Sequence, residues 1–127
     1  MNIQSEGRSL TDFQPLSSIT ELKTEDRREG TGEIVQPGDT VTVHYTGALA
    51  QNGQIFQSSH DLSGQSITFP LNGVIEGWQK GVPGMKVGGT RRLYIPAAQA
   101  YGAVSPDPTI PANSDLVFDI ELLSIQK

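Results

Sequence analysis

A chain of 127 residues, 35% of them hydrophobic, can bury one core in one domain, and its 14 glycines and 8 prolines indicate many turns. The formal net charge of −5 argues against partners that need a basic face, nucleic acid or an anionic membrane, so the pairs Arg27-Arg28 and Arg91-Arg92 read as solvated strand or loop positions. The lack of cysteine excludes a disulfide scaffold, a zinc–thiolate site and a cysteine nucleophile.

In chain order, residues 1–18 are polar and aperiodic, a tail with Leu10, Phe13 and Leu16 as its anchoring apolar residues; the domain proper is residues 19–127. ITELKTED, from Ile19, predicts a first strand, followed by a turn through Glu29-Gly30-Thr31-Gly32 and another at Pro37-Gly38-Asp39. TVTVHYTGAL alternates, with Val41, Val43 and Tyr45 on one face and Thr42, His44 and Thr46 on the other. Asn52-Gly53 marks a hairpin turn, Gln54-Ile55-Phe56 begins the returning strand, and QSSHDLSGQ reads as a polar loop or bulge. SITFP is a short strand with Ile67 and Phe69 on one face, stopped by Pro70.

Val74 to Val82 is the credible helix, with Trp78 and Val82 sharing a face, Gly77 and Gly81 weakening it, and Pro83-Gly84 ending it. GTRRLYIP follows as a strand with Arg91, Leu93 and Ile95 on one side. Ala97 to Pro111 holds three prolines and reads as a long ordered loop, a place where function often resides. SDLVFDIELLSI closes the chain, Leu116, Phe118, Ile120 and Leu122 alternating with Val117, Asp119, Glu121 and Leu123. These elements predict an α+β arrangement of about five strands and one short helix. No run of about 18 apolar residues occurs, and the first twenty residues lack a signal peptide's apolar stretch. A cytosolic protein, or the mature part of an exported one, is expected.

Reactive chemistry is sparse. His60-Asp61 lies beside Ser58-Ser59, but sequence neighbours rarely form a triad and no Gly-x-Ser-x-Gly elbow is present. Two histidines, His44 and His60, make a weak metal case, and Gly30-x-Gly32 lacks the third glycine and following helix of a dinucleotide site. Gly88-Gly89 reads as a turn. What remains is a scattered apolar set: Tyr45, Phe56, Trp78, Tyr101 and Phe118 in separate segments, with Val74 and Ile75 just before the tryptophan. Such residues could fill an ordinary core or line one dry pocket, suited to a reaction in which no covalent bond is made.

VTVHYTG, IFQSS, VIEGWQKGVPGMKVGGTRRLYIP, AYG and IPANSDLVFDIELL, in that order and spacing over roughly residues 20–127, resemble an FKBP-type peptidyl-prolyl isomerase domain. Each string is weak alone; together they are specific. The resemblance implies a twisted, mostly antiparallel sheet wrapped over a short helix, with a pocket between them. It implies cis/trans isomerisation of X-Pro bonds with no cofactor and no metal. Carried over by position, the catalytic set is Tyr45, Phe56, Ile75, Trp78, Tyr101 and Phe118: Trp78 as floor, Tyr45, Phe56 and Phe118 as walls, the Ile75 N–H and Tyr101 hydroxyl as donors to substrate carbonyls. Gln57, Ile67, Val74 and Ile110 complete the substrate-binding set.

Two positions depart from the family's common pattern. Gln57 stands where many members carry an aspartate, which implies reduced affinity for macrolide inhibitors, and Ile67 stands where an aromatic is frequent, which implies a less aromatic wall. The expected partners are proline-containing polypeptides, with no nucleic acid and no membrane contact by this chain, and the expected state is a monomer. A non-catalytic module or chaperone holding proline-containing partners in the same pocket is the alternative, and a small structural domain with an ordinary aromatic core is a third reading.

Overall fold

The computed structural model describes residues 18–59, 66–104 and 110–126. The expected anchors Leu10, Phe13 and Leu16, the His60-Asp61 pair and the SPDPT segment at 105–109 lie outside the described residues.

The clearest alternation in the sequence forms the longest ladder. β2 (Thr40–Leu49) runs antiparallel to β6 (Leu116–Gln126) from the Thr40↔Gln126 pair to Leu49↔Leu116. Val41, Val43 and Tyr45 of β2 meet Leu116, Phe118, Ile120 and Leu122 of β6 in the main core. Near the end of β6 the register slips between Thr42↔Ser124 and Val43↔Leu122, which leaves Leu123 as an extra residue. A bulge of this kind shifts the alternation by one place. Leu123 is therefore exposed, and Ile125 rather than Ser124 packs on the core.

β5 (Thr90–Ile95) pairs with β6, and β1 (Lys23–Arg28) pairs with β5. On its other side β2 is flanked by two short strands, β4 (Ile67–Pro70) along Thr40–Val43 and β3 (Ile55–Ser58) along Thr46–Ala48. Among the described residues the result is a six-stranded antiparallel sheet of order β1-β5-β6-β2-β3, with β4 also on β2, one strand more than the approximate five expected. The first strand begins at Lys23 and not at Ile19. All six β1 residues are exposed, so no buried face imposes an alternation. Ile19 instead packs with Ala48, Ala50, Ile55 and Val117 on the opposite face of the sheet, its N–H held by Asp115 Oδ2 at 2.8 Å. Gln57 and Ser58, expected in a loop or bulge, belong to β3, where Ser58 Oγ meets Thr46 Oγ1 at 2.9 Å.

Tyr45 pairs with Ile120 on the β6 side, but on the other side, between the pairing of Val43 with β4 and that of Thr46 with β3, its backbone lacks a strand partner. Ser59 fills the gap. Its buried Oγ accepts from the Tyr45 N–H at 2.9 Å and lies 3.4 Å from the Tyr45 carbonyl and 3.0 Å from His44 Nδ1. A buried backbone group left open here would cost about as much as a lost hydrogen bond. Ser59 and His44 thus complete the sheet.

The helix α1 (Glu76–Gly81) is shorter than the expected Val74–Val82, though Trp78 and Val82 do share a buried face. Its glycines have a packing role. A Cβ on Gly77 would stand 2.5 Å from Ile95 Cγ2, and one on Gly81 would stand 2.9 Å from Leu93 Cδ2. Glycine costs helix propensity, about 1 kcal/mol per residue, but here it lets α1 lie directly on β5.

The Arg91-Arg92 pair is not solvated. Arg91 Nη1 donates to the Gly81 carbonyl at 2.8 Å, tying the end of α1 to β5, while its Nε meets Asp26 Oδ1 at 2.6 Å. Arg92 is 2% exposed. It sits opposite Asp119 across β5 and β6 and grips that carboxylate with two bonds, Nε to Oδ1 at 2.6 Å and Nη2 to Oδ2 at 2.9 Å. The Asp119 carboxylate holds the Arg92 guanidinium above its usual pKa, against the opposing effect of burial. Arg27 and Arg28 are exposed on β1, as expected. Among the described residues, no helix is long and apolar enough to cross a membrane.

Candidate active site

The sheet curls around α1, and the space between them stays partly open at one end. Tyr45 of β2, Phe69 of β4, Trp78 of α1 and Phe118 of β6 form a box of rings. Trp78 stands edge-on to Phe69, Phe118 and Tyr45 at centroid distances of 5.4, 5.5 and 5.6 Å. Tyr45 meets Phe69 at 5.9 Å, again edge to face. Each such pair contributes about 0.5–1.5 kcal/mol beyond area burial, so the box holds its own shape.

Phe56 joins through a second irregularity. The β2–β3 register passes from Gly47↔Gln57 to Ala48↔Ile55, leaving Phe56 as the extra residue of a bulge. Two successive residues, Phe56 and Gln57, then line the same cavity. Gly47 makes room: a Cβ there would lie 2.7 Å from both Phe56 Cζ and Phe118 Cε1. The two rings cross over this glycine at 5.8 Å and 88°.

The cavity has a volume of about 280 Å³. Val74 and Ile75 border it between the 3-10 turn Leu71–Gly73 and α1, and Gly73 contributes from that turn. The Val74 carbonyl is held by Gln79 Nε2 at 2.7 Å. Tyr101 enters from the turn after the 3-10 segment Ala97–Gln99, which the Gly102 N–H to Ala97 carbonyl bond of 2.8 Å closes. Tyr101 is 37% exposed and stands at the rim, whereas Trp78 and Phe118 are each 4% exposed.

Of the ten residues expected at the site, eight line the cavity: Tyr45, Phe56, Gln57, Val74, Ile75, Trp78, Tyr101 and Phe118. Ile67 and Ile110 do not. Ile67 packs partly buried beside the core, opposite Val43, and Ile110 is buried within the core. The wall expected to be less aromatic at Ile67 is supplied by Phe69, two residues further along the same strand face. The alternation in SITFP already put both residues on one face; only β4's packing tells which reaches the tryptophan.

Among the described residues, no ionisable acid or base lines the cavity apart from the two phenols. Burial pushes the Tyr45 phenol above its usual pKa, with a smaller push from Tyr101, and burial likewise raises Tyr101. Both therefore stay protonated donors through neutral pH. Tyr45 spends its proton on Gln57, its hydroxyl donating to Oε1 at 2.8 Å. No group of three or more histidine, aspartate or glutamate side chains that could hold a metal ion occurs among the described residues. The arrangement can exclude water from a small group and offer hydrogen bonds to it; among the described residues it has no nucleophile paired with a base.

A twisted antiparallel sheet over a short helix, with an aromatic box between them, is the architecture of a proline-rotamase domain. Residues 31–123 match the family described as FKBP-type peptidyl-prolyl cis-trans isomerase, and the chain belongs to that family. It is 48% identical over 92 residues to peptidyl-prolyl cis-trans isomerase FPR2 of Saccharomyces cerevisiae, covering 71% of this chain and 67% of that one. It is 41% identical over 107 residues to the 46 kDa FK506-binding nuclear protein of Spodoptera frugiperda, covering 83% of this chain but only 26% of that longer relative. Among solved structures, a peptidyl-prolyl cis-trans isomerase from Pseudomonas syringae pv. tomato superposes with a TM-score of 0.74 at 35% identity, over 84% of this chain and 76% of that one.

Proposed function

We propose that this FKBP-type domain accelerates rotation about X-Pro bonds in polypeptides by desolvating the amide and holding it twisted. Trp78 is the floor, Tyr45, Phe56, Phe69 and Phe118 are the walls, and the Ile75 N–H and Tyr101 hydroxyl take the flanking carbonyls. The observation that carries this reading is a box of crossed rings with the Tyr101 hydroxyl at its rim and, among the described residues, no acid–base pair inside.

The physics suits that inventory. Amide rotation has a barrier of about 18–20 kcal/mol because twisting breaks resonance. Water bonded to the carbonyl stabilises the polar planar form, so an apolar box disfavours the ground state relative to the twisted one. A thousandfold acceleration needs only about 4 kcal/mol of differential binding. A protease-coupled assay on a Leu-Pro peptide tests the reading; binding without acceleration would leave a non-catalytic proline-binding module. Tyr101→Phe removes one rim hydroxyl from a partly exposed ring, so turnover should fall about three- to tenfold while the thermal midpoint barely moves.

The pH profile is a second check. kcat/KM should be flat from about pH 5.5 to 8.5, because proton transfer by a side chain would give a bell or a sigmoid and the cavity's phenols titrate above that window. The sign at the alkaline end follows from the raised phenols. Their folded pKa values exceed the unfolded one, so their contribution to stability is complete below about pH 10 and is lost as pH rises beyond it. A steep change near pH 6.5 would require an acid–base group that this reading does not contain.

The domain acts as a monomer, supported by a β1 edge whose six residues are exposed and mostly charged, a pattern that discourages edge pairing. Macrolide recognition is supported by relatives named for binding FK506. Gln57 should weaken it, because a neutral amide oxygen accepts hydrogen bonds about half as strongly as a carboxylate. Gln57→Asp should tighten FK506 binding in calorimetry while changing kcat/KM on a Leu-Pro peptide by less than about tenfold. A hundredfold gain in turnover with no gain in affinity would reverse the role assigned to this residue.

A further inference from the structure

Gln57 is exposed at the cavity mouth, and its two amide ends are not equivalent. Tyr45 donates to Oε1 at 2.8 Å, which fixes the carboxamide and commits its oxygen. The amide NH2 makes no bond to another described residue. It is left as a donor on a lining that, among the described residues, contains no carboxylate and no cation. Two carboxylates directly follow lining residues, Glu76 after Ile75 and Asp119 after Phe118, and each is matched by a cation, Glu76 by Lys80 Nζ at 2.7 Å and Asp119 by Arg92 Nε at 2.6 Å. Among the described residues, a substrate side chain passing Gln57 therefore meets an N–H donor and no unmatched anion.

We propose that Gln57 sets the charge selectivity of the pocket, admitting X-Pro segments that carry an acidic side chain next to the proline. This rests on the isomerase reading and extends it to a substrate class. Apolar residues before proline still gain from the rings; the effect of Gln57 lies in how little an acidic one is penalised. Its NH2 donates to the substrate carboxylate, a charge-assisted bond that a carboxylate at position 57 would replace with repulsion.

The test is a matched set of Leu-Pro, Glu-Pro and Lys-Pro peptides with wild type, Gln57→Glu and Gln57→Met. Glutamate keeps an acceptor for the Tyr45 hydroxyl, so it changes charge and donor while keeping that contact. Two unit charges about 8 Å apart at the mouth of a pocket alter binding by roughly fivefold. In Gln57→Glu the Glu-Pro to Leu-Pro ratio of kcat/KM should fall about fivefold and the Lys-Pro to Leu-Pro ratio should rise. Both changes should shrink in about 1 M salt, where the Debye length is near 3 Å; a merely structural disturbance would ignore salt. Gln57→Met should lower the Glu-Pro ratio without raising the Lys-Pro ratio. Ratios that stay within about 1.5-fold of wild type in Gln57→Glu at low salt, where the Coulomb effect is largest, would overturn the proposal while leaving the isomerase reading intact. Failure of the wild type to accelerate even Leu-Pro would instead overturn the reading beneath it.

Discussion

Phe118→Ala is expected to lower stability by about 3–5 kcal/mol and kcat/KM by at least about tenfold. Phe118 is 4% exposed and lies where core and cavity share a wall. Its ring stands edge-on to Trp78 at 5.5 Å and to Phe56 at 5.8 Å, and tilted against Tyr45 at 6.3 Å. Truncation would remove three ring contacts at once and leave a void that the sheet cannot close, since Phe118 sits in the long β2–β6 ladder opposite Gly47. The void also opens onto the cavity, so water enters where the twisted amide must be dry. Thermal denaturation should show a fall of roughly 10 °C or more, and the coupled assay should be run well below that transition. Tyr101→Phe is the contrast, acting on turnover with little effect on stability. A Phe118→Ala protein that melts within about 2 °C of wild type would mean that the ring bears no core load.

Much of this site was legible because period-two alternation is strong where one face is buried. TVTVHYTGAL and LVFDIELL gave the two central strands and placed Tyr45 and Phe118 inward without error. The failures lie where alternation has no grip. β1 is exposed along its whole length, so nothing in its pattern marks its start, and the apolar Ile19 that suggests one belongs to the other face. The β6 bulge at Leu123 and the β3 bulge at Phe56 break the period by one residue, and only cross-strand register shows it. Choosing Phe69 over Ile67 as the aromatic wall required knowing how far along β4 the tryptophan sits. The arginine pair misled most: two adjacent cations in an acidic chain suggested solvent, yet each has a carboxylate from a distant strand waiting for it.

That buried pair makes the second large effect. Asp119→Ala should cost about 3 kcal/mol, the low end for breaking a buried ion pair, because the Asp119 side chain is itself 27% exposed. The cost comes mainly from the arginine left behind: a guanidinium 2% exposed loses the carboxylate that balances its desolvation. Asp119→Asn keeps the shape and one acceptor, so it should lose less. The double variant Arg92→Met with Asp119→Leu should recover most of the loss, since apolar residues of similar volume often replace a buried pair at little cost. Asp119 follows Phe118 on the strand and its carboxylate lies outside the cavity lining, so kcat/KM per folded molecule should not change in any of these proteins. Urea unfolding followed by tryptophan fluorescence can measure all three against wild type, because Trp78 is the sole tryptophan. If Asp119→Ala unfolds at the wild-type midpoint, Arg92 finds its compensation elsewhere and the carboxylate is dispensable. If the double variant is no better than the single one, the pair contributes attraction that packing cannot replace, and the β5–β6 register depends on that attraction.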